Sequence, residues 1–124
     1  MDPNWNDNQP IYRQLKERVI EMVLEGIVAD GDALPSVRNV AAEYKLNPLT
    51  VLKAYQELVD ENLVEKKRGR GMFVKSGASA QLMLNERERF LADEWPHIQA
   101  KVERLGLTPD DLLKAVAQNK ENSE

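Results

Sequence analysis

The sequence predicts a mainly α protein with a small antiparallel β-hairpin, followed by a C-terminal helical segment. Three observations carry that class. Before residue 62 the apolar residues recur at helical spacings in three blocks separated by turn signals. Two short β-capable runs then bracket the glycine-rich turn Arg68-Gly69-Arg70-Gly71. From Ser79 onward the pattern is helical again, with apolar residues seven apart.

The first helix is expected over about residues 10–25. Ile11, Leu15, Val19 or Ile20, Met22, Val23 and Ile27 lie three and four apart, and Pro10 suits a first turn, where its missing N–H costs nothing. Ala29-Asp30-Gly31-Asp32 reads as a turn. A second, short helix starts at the N-cap Ser36, uses Val37, Val40, Ala41 and Tyr44, and ends near Lys45. Leu46-Asn47-Pro48 is the clearest local signal in the chain. Asn47 can cap, Pro48 fits the first helical position, and Leu46 can staple onto Val51. The third helix runs through Tyr55, Leu58 and Val59 to about Glu61, and Asn62 can take a left-handed C-terminal position. Leu63–Lys67 and Met72–Lys75 form the hairpin, and Ser76-Gly77-Ala78-Ser79 reads as a small-residue hinge.

In the tail, Leu84, Leu91, Ile98 and Leu105 are spaced by seven, with Trp95 and Val102 between them, which makes a coiled-coil-like seam. Pro96 interrupts it and is expected to kink the helix or cost a backbone hydrogen bond. Gly106 ends that helix, and Thr108 caps a last one carrying Leu112, Leu113 and Val116, with Asp110 and Asp111 favourably placed in its first turn. The expected division is residues 9–76 for the helices and hairpin and 79–119 for the tail, with 1–8 and 120–124 disordered.

Composition removes several function classes. The 124 residues, 42% apolar, can bury a modest core without disulfides, and zero cysteines exclude thiol catalysis and thiolate metal sites. One histidine, His97, leaves little for a metal cluster or a Ser-His-Asp triad. No paired acid/base constellation is visible, so neither an enzyme nor a cofactor is expected. No apolar run approaches the ~20 residues of a membrane span, and the start MDPNWNDNQP lacks the order of a signal peptide. A soluble, cytoplasmic protein with no membrane partner is expected. The net charge of −4 argues against a polyanion partner, but five basic residues and no acidic one lie between Lys66 and Lys75. The tail from Ser79 carries six basic and nine acidic residues, a balance of −3. A local patch outweighs the global sum, because phosphate contacts act within a Debye length of ~10 Å.

Two short helices joined by a tight turn, followed by a basic hairpin, form a winged helix-turn-helix arrangement whose second member of the pair enters the DNA major groove. The run LPSVRNVAAEYKLNPLTVLKAYQELVDENLVEKKRGRGMFV, with the opening PIYRQL, resembles the N-terminal domain of GntR-type bacterial transcription regulators over about Gln9 to Ser76. The short acidic tail, with Leu105-Gly106-Leu107 before a final helix, resembles the YtrA subfamily.

The resemblance implies a sequence-specific regulator of transcription that binds double-stranded DNA as a homodimer and acts as a repressor. It also implies that Arg38 contacts DNA, where its fork could hold a guanine or a phosphate. The alternative for Arg38 is a surface pair with Glu43 or Glu57. Ser36 and Asn47 cap helices whose N-termini are themselves phosphate sites, and Thr50 and Lys53 project from the turns entering the groove. Leu49 departs from the asparagine frequent in YtrA-like proteins. It either meets a thymine methyl or packs inward. The arginines that many other GntR proteins carry at the places of Pro48 and Leu52 are absent, which suggests a different operator. In the wing, Lys67, Arg68 and Arg70 supply charge, and Gly69 and Gly71 allow close backbone approach; the alternative is a solvated basic loop.

The tail residues Leu84, Leu91, Trp95, Ile98, Val102, Leu105, Leu112 and Val116 either pair with a second copy or fold back on their own domain; the resemblance favours the dimer. The larger effector domain of many relatives is not expected here, and neither the operator nor a releasing effector can be read. A winged-helix module for protein contacts, without DNA readout, is the competing function.

Overall fold

The computed structural model describes residues 5–122. Three helices come first: α1 (Ile11–Leu24), α2 (Val37–Tyr44) and α3 (Pro48–Asp60). The hairpin β1 (Val64–Lys67) and β2 (Gly71–Val74) follows, then α4 (Ala78–Arg89), a π-helical turn at Phe90–Glu94, α5 (Trp95–Arg104) and α6 (Pro109–Asn122). The chain divides into two compact units after Leu84.

The core of the first unit is the meeting of the apolar stripes predicted from the sequence. Leu15, Val19 and Val23 of α1 pack with Val40 and Ala41 of α2 and with Val51, Ala54, Tyr55 and Leu58 of α3. Leu46 joins the same cluster from the turn. The helix ends are capped as their residues dictate. The Ser36 hydroxyl accepts from the N–H of Asn39 at 3.0 Å, and Asn47 Oδ1 accepts from that of Leu49 at 2.9 Å. Lys45 (φ 55°) and Asn62 (φ 63°) take the left-handed positions after α2 and α3. For a lysine this costs about 1–2 kcal/mol, and the return is a three-residue link between α2 and α3. Pro10 is the N-cap of α1 rather than its first helical residue.

The hairpin is antiparallel, pairing Val64 with Val74 and Lys67 with Gly71. A third strand-like segment that the sequence did not suggest lies along β2. Ala33 bridges to Phe73, the N–H of Leu34 donates to Met72 O at 2.8 Å, and that of Val74 donates to Asp32 O at 2.9 Å. The wing is therefore stitched to the strand that leads into α2.

Several expectations are corrected. Residues 76–79 are not a free hinge: Ala78 and Ser79 already belong to α4, and Ala78 and Leu82 are buried in the core. The Asp30 carboxylate accepts from the N–H of Gly77 at 2.7 Å and of Ser79 at 3.1 Å, acting as a cap supplied from the α1–α2 loop. Those bonds, first that from Ser79 and then that from Gly77, hold its pKa below the usual carboxylate value. Residues 5–8, expected to be disordered, make contacts with α1 and α2. Gln14 Nε2 donates to the carbonyls of Asn6 and Gln9, and Trp5 meets Tyr44 edge-on with ring centroids 6.1 Å apart. At the other end α6 extends to Asn122, past the expected limit of 119. The expectations for residues 1–4 and 123–124 lie outside the described residues.

In the second unit Pro96 produces the π-helical turn, with the N–H of Trp95 reaching back to Phe90 O. A proline ring clashes with the carbonyl four residues earlier, and widening the preceding turn relieves that contact. Thr108 and Asp111 cap α6 reciprocally: the N–H of Thr108 donates to Asp111 Oδ2 at 2.9 Å, and the N–H of Asp111 donates to Thr108 Oγ1 at 3.2 Å.

One long-range bond fixes the start of α2. The Tyr55 hydroxyl donates to Pro35 O at 2.7 Å, and burial pushes the Tyr55 pKa up to about 12. The neutral phenol is favoured in the fold, so this contribution is complete below the unfolded pKa of about 10 and disappears as pH rises through about 12. Tyr55→Phe is expected to destabilise the protein by about 1 kcal/mol at neutral pH in urea denaturation and to weaken the loss of stability between pH 10 and 12, a range that the unfolded and folded values bound.

Candidate nucleic-acid interface

The period of α3 decides what it shows to solvent. With Val51, Ala54, Tyr55 and Leu58 buried, Leu49, Leu52, Lys53 and Gln56 are left on the outer side. Leu49 is 71% exposed, so it does not pack inward. Thr50 is half-buried, and Gln56 is engaged with Asp60 at 3.1 Å. Exposed hydrophobic side chains at 49 and 52 next to a lysine give the first turns of α3 a surface able to meet base methyls as well as phosphates.

Arg38 stands exposed in the first turn of α2. Among the described residues no ion pair holds it, and Glu57, one of its expected partners, is taken by Lys16 at 3.2 Å. Ser36 and Asn47 are both exposed and both spend a side-chain oxygen on capping. Their helices therefore present N-terminal backbone N–H groups and the positive end of the helix dipole.

In the wing the N–H of Arg70 donates to Lys67 O at 2.8 Å, which closes a four-residue turn. Gly69 supplies the positive φ (76°) that the third position of such a turn requires. Arg68 and Arg70 are exposed at the tip. Phe73 organises the cations: Lys67 Nζ lies 4.7 Å from its ring centroid and the Arg70 guanidinium carbon 5.5 Å. Lys67 also pairs with Glu65 at 3.7 Å. Lys53 is treated in the same way on α3, with its Nζ 4.1 Å from the centroid of the Tyr12 ring.

Sequence reasoning missed these aromatic partners. Phe73 was legible from the hairpin register, which puts Glu65, Lys67 and Phe73 on one face. Tyr12 is 41 residues from Lys53 and gave no local signal. Among the described residues no group of His, Asp or Glu could hold a metal ion, and no helix is long and apolar enough to cross a membrane.

The tail residues present their apolar side chains outward. Leu84, Leu91, Ile98, Leu105 and Val116 are exposed, Leu91 and Leu105 at about 60%, whereas Trp95, Val102 and Leu112 are half-covered.

Comparison with known proteins agrees with this architecture. The profile of "Bacterial regulatory proteins, gntR family" matches residues 11–74. The HTH-type transcriptional repressor YtrA of Bacillus subtilis is 42% identical over 83 residues, which are 67% of this chain and 62% of that protein. The HTH-type transcriptional regulator YhcF of the same organism is 28% identical over 116 residues, 94% of each chain. A transcriptional regulator from Oenococcus oeni has a similar solved structure, with a TM-score of 0.70 at 31% identity over 94% of this chain and 95% of that one. The chain thus belongs to the gntR family of bacterial regulatory proteins and is a winged helix-turn-helix, DNA-binding transcription regulator of YtrA-like type, not an enzyme.

Proposed function

We propose that two copies of this chain bind a two-fold operator in double-stranded DNA and repress transcription by covering the promoter. The observation that carries the reading is a set of exposed cations, Arg38, Lys53, Arg68 and Arg70, on the elements that contact DNA in a winged helix-turn-helix, in a chain whose net charge is −4. α3 lies in the major groove, where Leu49 meets a thymine methyl and Thr50 and Lys53 contact a base edge or phosphate. Ser36, Arg38 and Asn47 sit over the backbone at the two helix N-termini, and the wing, Lys67 to Gly71, follows the neighbouring sugar-phosphate chain. The protein acts in the cytoplasm, where the chromosome lies. The tail pairs with its copy through Leu84, Leu91, Trp95, Ile98, Val102, Leu105, Leu112 and Val116. The support is the row of large exposed apolar side chains, more than an isolated acidic helix needs. A dimer matches a palindromic site.

Binding to DNA from upstream of the protein's own coding region, followed by fluorescence anisotropy over a salt series, tests the reading. Affinity is expected to fall with a log–log slope of about −0.9 per phosphate neutralised. Arg70→Ala is expected to flatten that slope by about one contact, and Arg38→Ala to reduce discrimination against scrambled duplex by about 1–3 kcal/mol. No binding at low salt, or binding indifferent to both substitutions, would mean a protein-contact module instead.

The dimer has its own test. Sedimentation equilibrium is expected to give twice the chain mass, and Ile98→Glu to give a monomer that still binds a single half-site but loses the affinity gained on a two-half-site duplex. A wild-type monomer at micromolar concentration overturns the pairing.

A further inference from the structure

We propose that Tyr12, on α1 and outside every element assigned to DNA contact, is a positioning residue that holds the Lys53 ammonium ready for a phosphate. The inference rests on the DNA-binding reading above. The Tyr12 ring is half-buried and packs against the core, so it is a fixed platform, while Lys53 is exposed. The Lys53 Nζ lies 4.1 Å from the ring centroid, well inside the ~6 Å range of cation–π attraction. An exposed lysine is ordinarily a mobile side chain, and ordering it before binding reduces the rotamer freedom lost in the complex.

A ring is a particular choice of anchor. A carboxylate would order the ammonium equally well but would cancel its charge. Here a candidate is Glu57, one helical turn beyond Lys53, a spacing at which lysine and glutamate pair. Lys16, one turn beyond Tyr12, removes that competitor. Its Nζ contacts Glu57 Oε1 at 3.2 Å and Glu61 Oε1 at 2.9 Å. Burial pulls the Lys16 pKa down, but the hydrogen bonds and charges of Glu61 and Glu57 outweigh it, and the net value stands above the usual one. α1 and α3 thus meet in two successive rungs that advance in the same direction: Tyr12 with Lys53, then Lys16 with Glu57 and Glu61. The rung nearer the start of α3 keeps an uncancelled cation, and in the rung behind it Lys16 holds both carboxylates, leaving that rung with a net charge of −1. The ring occupies one side of the ammonium, and the N–H donors on its other side remain available to a phosphate.

The test is a double-mutant cycle read by anisotropy at low salt on a duplex of random sequence, because a phosphate contact does not depend on sequence. Tyr12→Leu is expected to weaken binding by about two- to fivefold, Tyr12→Phe to match wild type, and Lys53→Ala to flatten the salt slope by about 0.9. In the Lys53→Ala background, Tyr12→Leu is expected to cost nothing further. An equal loss in that background would make Tyr12 merely structural and overturn the proposal. An unchanged slope in Lys53→Ala, with Arg70→Ala still effective, would overturn it while leaving the DNA-binding reading intact. No binding by the wild-type protein would overturn both. Should Tyr12→Leu fail to fold, the Lys53 ε-methylene protons of the wild-type and Tyr12→Phe proteins still decide by NMR. An upfield ring-current shift in both supports the seat, and unshifted lysine resonances overturn it.

Discussion

The burial of one stripe on α3 is the constraint from which the rest of the interface follows. Val51, Ala54, Tyr55 and Leu58 are all at most 2% exposed, and a helix that buries these four has no freedom left in its rotation about its own axis. Leu49, Lys53 and Gln56 are outward because the core residues are inward. The same stripe fixes the neighbours. Tyr55 reaches across to the carbonyl of Pro35 and so sets where α2 begins. Arg38, three residues further on, takes its position from that bond and from the Ser36 cap. The wing is joined to the same place by the ladder between residues 32–34 and β2. The proposed DNA-binding face, built from three separate segments, needs such common anchoring, since a contact displaced by an ångström loses much of its value.

Electrostatically the chain handles its charges by local arrangement rather than by total. It is acidic overall, yet several acids on α3 and in the wing are occupied. Glu57 and Glu61 bind Lys16, Asp60 receives Gln56, and Glu65 faces Lys67. Three cations of the candidate interface lie over aromatic rings, Lys53 on Tyr12 and Lys67 and Arg70 on Phe73, and of these Lys67 also pairs with Glu65. Rings order these long side chains without cancelling their charge, and this is how a protein of net charge −4 can keep a positive local field.

Much of the fold was legible because its signals are local. Ser36, Asn47-Pro48 and Asn62 mark helix ends through geometry that each residue imposes on its own backbone, and the apolar period gave α1, α2 and α3 with their inner faces. The misses share one cause, which is partners distant in sequence. The Asp30 cap on the start of α4 joins residues 47 and 49 apart, and it turned an expected hinge into an anchored helix start. The Ala33 bridge and the Tyr12 seat are of the same kind. Leu49 was undecidable by pattern because it flanks the core stripe, and only the packed helix shows it outside. Pro96 was expected to disturb the tail helix, but the form of the disturbance, a π-helical turn, depends on how the preceding residues relax.

The central claim is that the N-terminal turns of α2 and α3 together with the wing form the surface that meets DNA. Backbone amide shifts of the labelled protein, followed during titration with duplex DNA, test it most directly. The account predicts perturbations at residues 36–39, 47–53 and 67–71, while the amides of α6 stay in place. Perturbations confined to α5 and α6, or none at a protein-to-duplex ratio that saturates anisotropy, would contradict it.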